Sequence, residues 1–256
     1  VSLTAADADT VATITGTGHV AVTALNLTAA ADLSAITAGG TKTAAVIGNV
    51  TFTGDMGSGF TTSVSDATTT FITTAAIATG QTIDGTGNVT INTVDGTLSA
   101  DLSGITVSGT KTANFATSQT FLGDFGTFDV VLAEAVTMAT TAARITGLNV
   151  GDGADAATVN VTDTAFTADV DLSGVTTDNI QFNAATNSEL TISSGKTLTI
   201  KQAHLAAIGD GGGNDISGEG NVTVTGVDKT ASLAEISASG SVTADMNGNI
   251  TVTGSD

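Results

Sequence analysis

Apolar residues alternate with threonine in many short runs along this chain, and the alternation is the main structural signal of its sequence. Clear examples are residues 50–53 (VTFT), 89–91 (VTI) and 222–225 (VTVT). A period of two places apolar side chains on one face of a strand and threonines on the other. β-branched residues suit such a half-buried surface, and the Gly, Asn and Asp residues between the runs are typical of turns. The pattern predicts many short β-strands, with one short helix at residues 201–208.

The sequence also repeats itself over long distances. Residues 31–37 (ADLSAIT) match residues 100–106 (ADLSGIT), and the five residues from Gly40 match the five from Gly109. The offset is 69 residues in both cases, and it holds without a gap from Ile14 to Gly57, which match Ile83 to Gly126. Self-similarity of this kind is the signature of a repeat protein.

Two weaker copies follow the strong pair. Residues 171–176 (DLSGVT) repeat the Asp-Leu-Ser core, and residues 218–224 (GEGNVTV) resemble residues 85–91 (GTGNVTI). We interpret residues 1–256 as a single repeat array. Its approximate units are 1–69, 70–138, 139–203 and 204–256.

Short strands, close turns and long repeats predict an all-β repeat protein with the architecture of a parallel β-solenoid. Each turn of a solenoid, called a coil below, buries a thin apolar stripe, and stacking on the next coil completes the core. A 69-residue unit would then hold about three coils of about 23 residues. The alternative is a series of tandem small β-sandwiches. Such sandwiches usually carry Trp or Tyr in the core, and this chain has neither.

Charge and composition narrow the range of functions. The chain carries 6 Lys and Arg against 25 Asp and Glu, which gives a formal net charge of -19. No basic stripe is present for phosphates, so nucleic acid is not an expected partner. No membrane insertion is expected either, because the chain has no run of apolar residues long enough to span a bilayer. The absence of cysteine excludes disulfides and thiolate chemistry.

Two segments rich in Gly and Asp resemble calcium-binding turns. Residues 209–215 (GDGGGND) approximate the Gly-Gly-x-Gly-x-Asp repeat of calcium-binding β-rolls, and residues 150–155 (VGDGAD) match about half of it. Glycines permit tight turns in which carbonyl and carboxylate oxygens converge on a hard cation. The predicted calcium ligands are Asp152, Asp155, Asp210, Asn214 and Asp215. Calcium-binding β-rolls stack several copies of the repeat so that adjacent turns share each ion, whereas each motif here occurs singly. An ordinary Gly/Asp turn is therefore the alternative.

The repeat contains a third acidic turn, which occurs as Gly54-Asp55 and again as Gly123-Asp124. An Asp at such a position most often caps its own turn. Calcium binding is the competing interpretation.

Catalytic chemistry has little support in the sequence. The two histidines, His19 and His204, are far apart, and Arg144 is the only arginine. No histidine spacing typical of a metal site and no nucleophile-elbow motif occurs. Polysaccharide-cleaving β-helices need paired carboxylates and cationic groups in one groove. We therefore predict that the protein is not an enzyme and that it has no catalytic residue and no cofactor other than calcium.

The Thr-x-Thr runs, for example residues 41–43 and 110–112, suggest another function. Stacked on one flat face, they would resemble the ordered threonine arrays of ice-binding solenoids. The spacing of the runs is uneven and the residues between the threonines vary. Ordinary threonines on the outward face of strands are therefore the favoured interpretation.

The repeat motifs are similar to the β-strand-repeat regions of bacterial secreted surface proteins, which include S-layer proteins and long adhesins. The similarity is carried by x-Gly-x-Gly-Asn-Val-Thr-Val at residues 217–224 and by Asp-Leu-Ser-Gly-Ile-Thr at residues 101–106. It extends in style and composition over nearly the whole chain. It implies a location outside the cell or at the cell surface and a structural or adhesive role, often with calcium.

These observations predict a non-catalytic extracellular structural protein that self-assembles into a surface layer or filament. The contacts would be made by the β-repeats and by unpaired strand edges, which are templates for another chain. The expected partners are copies of the same chain, forming a homo-polymer, and cell-surface polysaccharide. The alternatives are an adhesin stalk or spacer segment and, less favoured, an ice-binding solenoid.

Overall fold

The protein is a parallel β-solenoid of about 10 turns. The structure is a computed structural model that describes residues 1–94, 96, 99–153, 156–177, 179–182, 190–208, 216–228, 233 and 236–246. The chain divides into two compact units, one formed by Val1–Ala116 with Phe121–Val131 and the other by Thr117–Thr120 with Leu132–Asp256. The predicted solenoid is confirmed, whereas the alternative of tandem antiparallel sandwiches does not fit the parallel pairing of the strands.

Two parallel sheets build the first unit. Sheet 1 has the order β1-β2-β3-β5-β7, and sheet 2 contains β4, β6, β8, β9 and β11 as successive neighbours. Their strands are β1 (Ser2–Thr4), β2 (Val20–Thr23), β3 (Lys42–Val46), β4 (Val50–Thr51), β5 (Phe60–Val64), β6 (Thr70–Thr74), β7 (Thr82–Gly85), β8 (Asn88–Thr93), β9 (Lys111–Phe115) and β11 (Asp129–Leu132).

Three further sheets lie in the second unit. Sheet 3 has the order β10-β12-β14-β17, sheet 4 the order β15-β18-β20 and sheet 5 the order β16-β19-β21-β22. Their strands are β10 (Gln119–Thr120), β12 (Thr137–Thr140), β14 (Thr158–Val161), β15 (Ala165–Phe166), β16 (Val170–Asp171), β17 (Asn179–Phe182), β18 (Leu190–Ile192), β19 (Thr197–Lys201), β20 (Ile216–Gly218), β21 (Asn221–Val227) and β22 (Val242–Met246). The unit also contains β13 (Val150–Asp152), which belongs to none of these three sheets.

In the part of the chain that the structure describes, a short helix follows a strand at four places, either directly or after one residue. These helices are α1 (Ala5–Thr10), α2 (Ala75–Ala78), α3 (Ala142–Ile145) and α4 (Gln202–Ile208), and a single 3-10 turn covers Leu25–Leu27. In α1, α2 and α3 the first and fourth residues are buried. One helical turn therefore serves as a corner that points two small or aliphatic side chains into the core. The sequence analysis predicted only α4, because a single turn is too short to show helical periodicity.

The 69-residue repeat of the sequence is also a repeat of the strand pairing. Asp32 bridges to Asp55 on the next coil, and Asp101 bridges to Asp124 in the same way. Ile14 bridges to Ile36, and their counterparts Ile83 and Ile105 form the same bridge. Because equivalent residues meet equivalent neighbours, each copy of the repeat adds coils of the same construction.

Repeated glycines lie where two coils approach each other most closely. A Cβ atom at Gly54 would overlap the carbonyl oxygen of Ala31, and one at Gly123 would overlap that of Ala100. Both neighbours are backbone atoms, which cannot move away as a flexible side chain can. The two glycines are thus required by coil stacking at equivalent positions of the repeat.

Replacing Gly123 with alanine is expected to lower the free energy of unfolding by about 1–3 kcal/mol, the usual cost of overpacking. Gly18→Ala is the matched control, because a Cβ at Gly18 meets no atom within 4 Å. The control should change stability by less than about 1 kcal/mol and in the favourable direction. Urea unfolding followed by circular dichroism measures both, and equal effects would contradict the close-contact argument.

The interior of the first unit contains a cluster of phenylalanine rings. Phe121 and Phe125 stack with their ring centroids 3.9 Å apart and their planes at 17°. Phe115 packs edge-on against both, at 5.9 Å from Phe121 and 5.8 Å from Phe125. All three side chains are almost fully buried. Phenylalanine rings thus fill the core of the second repeat copy. They supply its aromatic packing in a sequence that contains no Trp or Tyr.

Candidate functional site

The calcium prediction falls largely outside the described residues. Asp155, Asp210, Asn214 and Asp215 all lie there, so calcium at these turns stays a prediction. Asp152 is described: it is the last residue of β13 and is half-buried. Among the residues that the structure describes, no group of three or more His, Asp or Glu side chains is placed so that it could hold a metal ion.

The acidic turns at Gly54-Asp55 and Gly123-Asp124 are capped by their own carboxylates. Asp55 Oδ1 accepts a hydrogen bond of 2.7 Å from the Gly57 backbone N–H, and Asp124 Oδ1 accepts one of 2.7 Å from Gly126. Turn capping is therefore observed at both positions. Each carboxylate stabilises the backbone of its own coil.

The Asp-Leu-Ser motif uses the same device. Asp101 Oδ1 accepts from the Ser103 hydroxyl at 2.6 Å and from the Ser103 backbone N–H at 3.0 Å. These two hydrogen bonds, the one from the hydroxyl more than the one from the N–H, hold the pKa of Asp101 below its ordinary value. Ser34 lowers the pKa of Asp32 in the same way. These carboxylates remain charged because their neighbours donate to the ionised form.

Like charges are stacked along the first unit. Asp32 and Asp55 are bridge partners on adjacent coils, and the Asp32 backbone N–H donates to Asp9 Oδ1 at 2.8 Å on the preceding coil. Neighbouring strands are about 4.8 Å apart, so acidic residues occupy adjacent positions on successive coils. Repulsion between exposed charges is screened by salt. The stacking of acidic coils should therefore be sensitive to ionic strength.

His19 belongs to a structural corner of the repeat. Its Nδ1 accepts a hydrogen bond of 3.0 Å from the Thr41 backbone N–H. The equivalent Asn88 accepts from Thr110 N–H at 2.8 Å through Oδ1. The histidine thus replaces an asparagine that joins one coil to the next.

His204 is buried in the corner formed by α4. The Lys201 backbone N–H donates to Nδ1 at 3.3 Å, so the proton is on Nε2, which lies 3.2 Å from the Val175 carbonyl oxygen and donates to it. Burial lowers the pKa of His204 to about 4; the bond to Val175 opposes this shift, and the charge of Lys201 adds to it. Both ring nitrogens are occupied by backbone groups, so the ring is held in a structural role.

A surface depression of about 200 Å³ lies beside the Asp55 turn and includes Thr79 and Gln81 among its lining residues. Its polar groups are engaged in the fold. Asp55 caps its turn, Gln81 donates to the Gly57 carbonyl at 3.2 Å, and Thr79 Oγ1 accepts from the Asp101 N–H at 2.9 Å. The depression offers no set of convergent groups that would do acid–base or nucleophilic chemistry.

The outward threonines of sheet 1 lie in two columns, neither of which is threonine throughout; Thr4 and Thr23 are register partners in one of them. Thr43, Thr61 and Thr82 are register partners on three successive coils. The next outward column contains Ala45, Ser63 and Asp84. A regular array of two threonine columns is thus not formed on this sheet.

Edge strands are the main features left available for interaction. Among the described strands, each of the five sheets ends in strands with a single neighbour, for example β22, which pairs with β21. The inward row of β22 is Val242, Ala244 and Met246, because these residues are register partners of the buried Val222, Val224 and Val227. The sequence analysis expected open edges without naming the strands. Alignment of Met246 with Val46 and Phe115 is the signal that would have identified the row on β22.

Comparisons with known proteins add no relationship. No protein-family model, no curated protein and no solved structure matches the chain. Within the described residues, the helices are all too short or too polar to cross a lipid bilayer.

Proposed function

We propose that this chain is a non-catalytic extracellular structural protein that self-assembles into a surface layer or filament. The observation that carries the proposal is the regular parallel stack, in which equivalent residues of successive coils meet and the edge strands of the described sheets have backbone groups aligned to continue the ladder. An unpaired edge presents a row of backbone donors and acceptors that can pair with another chain.

Charge supplies the proposed means of control. A net charge of -19 and the stacked carboxylates oppose the approach of two copies. Salt would weaken this repulsion, and calcium bound at the Gly/Asp turns would cancel part of it. Calcium is therefore proposed as an aid to assembly rather than as a catalytic cofactor.

The location and the further partners rest on the resemblance of the repeat motifs. That resemblance supports a place outside the cell or at its surface, with cell-surface polysaccharide as a second partner. An adhesin stalk or spacer remains the alternative, since a stiff solenoid also suits a segment that only separates other domains.

The test is negative-stain electron microscopy of the purified 256-residue protein in calcium, in chelator, and in sodium chloride of matched ionic strength. Sheets or filaments in calcium or in salt would support self-assembly, and assembly only in calcium would separate ion binding from screening. Short single rods in every condition, with a monodisperse monomer in solution, would contradict it and favour the stalk.

A further inference from the structure

His204 links helix α4 both to the strand before it and to the preceding coil. The side chain is 3% exposed. Its Nδ1 accepts a hydrogen bond of 3.3 Å from the backbone N–H of Lys201, the last residue of β19, and its Nε2 donates one of 3.2 Å to the carbonyl oxygen of Val175. The neutral ring is therefore an acceptor on one side and a donor on the other.

Protonation of the ring removes the first of these bonds. A histidinium carries a hydrogen on both nitrogens and has no acceptor. Nδ1–H would then face the Lys201 N–H, donor against donor, while the bond to Val175 could persist. The Lys201 amide would lose its acceptor at the point where β19 passes into α4.

The elements packed against α4 supply no countercharge for a protonated ring. Helix α4 packs against β17, β19 and β21. Strands β17 and β21 contain no ionisable side chain, and β19 contributes Lys201, whose positive charge opposes protonation.

The two aspartates on the adjoining segments are engaged in other hydrogen bonds. Asp228, the residue after β21, accepts from Gln202 Nε2 at 2.9 Å, and its own N–H donates to Gln202 Oε1 at 2.6 Å. Asp171, in the segment that leads to Val175, accepts from the Ser173 N–H at 2.9 Å. Among the described residues, a charged His204 would therefore be buried beside a lysine and without a hydrogen-bonded carboxylate.

We propose that the α4 corner, residues 201–208, is an acid-sensitive switch: protonation of His204 opens this corner locally while the coils of the first unit stay folded. The other corner helices, α1, α2 and α3, contain no histidine, so the sensitivity is specific to α4. The switch operates within a single copy of the chain, whether or not copies assemble.

The size of the effect follows from the difference in proton affinity between the two states of the corner. The open corner gives His204 an ordinary pKa of about 6.5, whereas burial in the closed corner lowers its pKa to about 4. The open state therefore binds the proton at a pH at which the closed state does not. Lowering the pH from about 7 to about 4.5 should raise the open population of the corner about 60-fold.

Hydrogen–deuterium exchange in the full 256-residue protein tests this opening. Amide protection in residues 201–208, corrected for the pH dependence of intrinsic exchange, should fall about 60-fold between about pH 7 and 4.5. Helix α2 is the control, because this corner has no titratable side chain. A fall in α4 with α2 unchanged is the expected result. An equal fall in both corners would mean that His204 is protonated only on global unfolding, and it would overturn the proposal.

The ring nitrogens of His204 give a second readout in the unmodified protein. By NMR, Nδ1 should change from unprotonated to protonated over the same pH range in which the Lys201 amide loses its protection. A protonated Nδ1 in a corner whose amides remain protected would contradict the switch.

The variant His204→Gln removes the titrating group while keeping an acceptor and a donor on the side chain. Its α4 amides should be equally protected at both pH values, and His19 is the same in both proteins. A fall as large as that of the natural chain would overturn the proposal. If the variant corner is already open at neutral pH, the comparison of α4 with α2 in the natural chain still decides the outcome.

Discussion

Phe121→Ala is expected to lower the free energy of unfolding by about 3–5 kcal/mol, the range for removing a buried phenylalanine. Phe121 is 0% exposed and contacts two other rings, Phe125 at 3.9 Å and Phe115 at 5.9 Å between centroids. The substitution removes apolar burial and leaves a cavity between coils that can close only partly, because backbone ladders hold the coils at fixed spacing.

The repeat provides a matched control for this prediction. Phe52 occupies the equivalent position in the first copy, is also 0% exposed, and lies 5.8 Å from the ring of Phe71. Phe52→Ala removes the same side chain with one aromatic contact instead of two. It should therefore cost less than Phe121→Ala by about 0.5–1.5 kcal/mol, the value of one aromatic pair.

Urea unfolding followed by circular dichroism measures both variants, and Phe121→Leu keeps most of the side-chain volume as a check on the cavity. If Phe52→Ala costs as much as Phe121→Ala, the stacked cluster adds nothing beyond burial. If Phe121→Ala costs less than about 1 kcal/mol, the interior is far more loosely packed than the ring distances indicate.

The fold could be predicted because two independent patterns in the sequence agree. Alternation at 50–53 and 222–225 predicts strands, and the match of residues 31–37 with 100–106 predicts a stack of like coils. The corner helices could not be predicted. The single turn Ala75–Ala78 is too short for periodicity to be read, and its helical state depends on the burial of Ala75 and Ala78 between coils.

The candidate sites were less predictable, for a physical reason. An Asp beside a Gly has the same sequence whether its carboxylate caps a turn or binds an ion, and the hydrogen bond from Gly57 to Asp55 is visible only in three dimensions. The exposed row on β22 likewise depends on what lies beside the strand. Sequence reports the apolar character of Val242 and Met246 but not that they are 41% and 50% exposed.

Stability is expected to fall as the pH is lowered through the range in which His204 is protonated in the unfolded chain. An ordinary histidine has a pKa of about 6.5, whereas burial lowers the pKa of His204 to about 4. Between these values the unfolded state binds the proton and the folded state does not. The contribution of the neutral His204 ring to the free energy of unfolding is therefore fully present above about pH 6.5 and declines below it. The total loss at pH 4 is about 3 kcal/mol.

The aspartates act in a different range, so the effect can be isolated. Hydrogen bonds lower the pKa of Asp32, Asp66 and Asp101 from 3.8, so their stabilisation is lost only at more acid pH. Urea midpoints between about pH 7 and 4.5 thus report mainly on histidine. His204→Gln should flatten the slope. A slope that persists in His204→Gln would show that another group titrates, and a His204 ring resonance that titrates near 6.5 by NMR would contradict the burial argument.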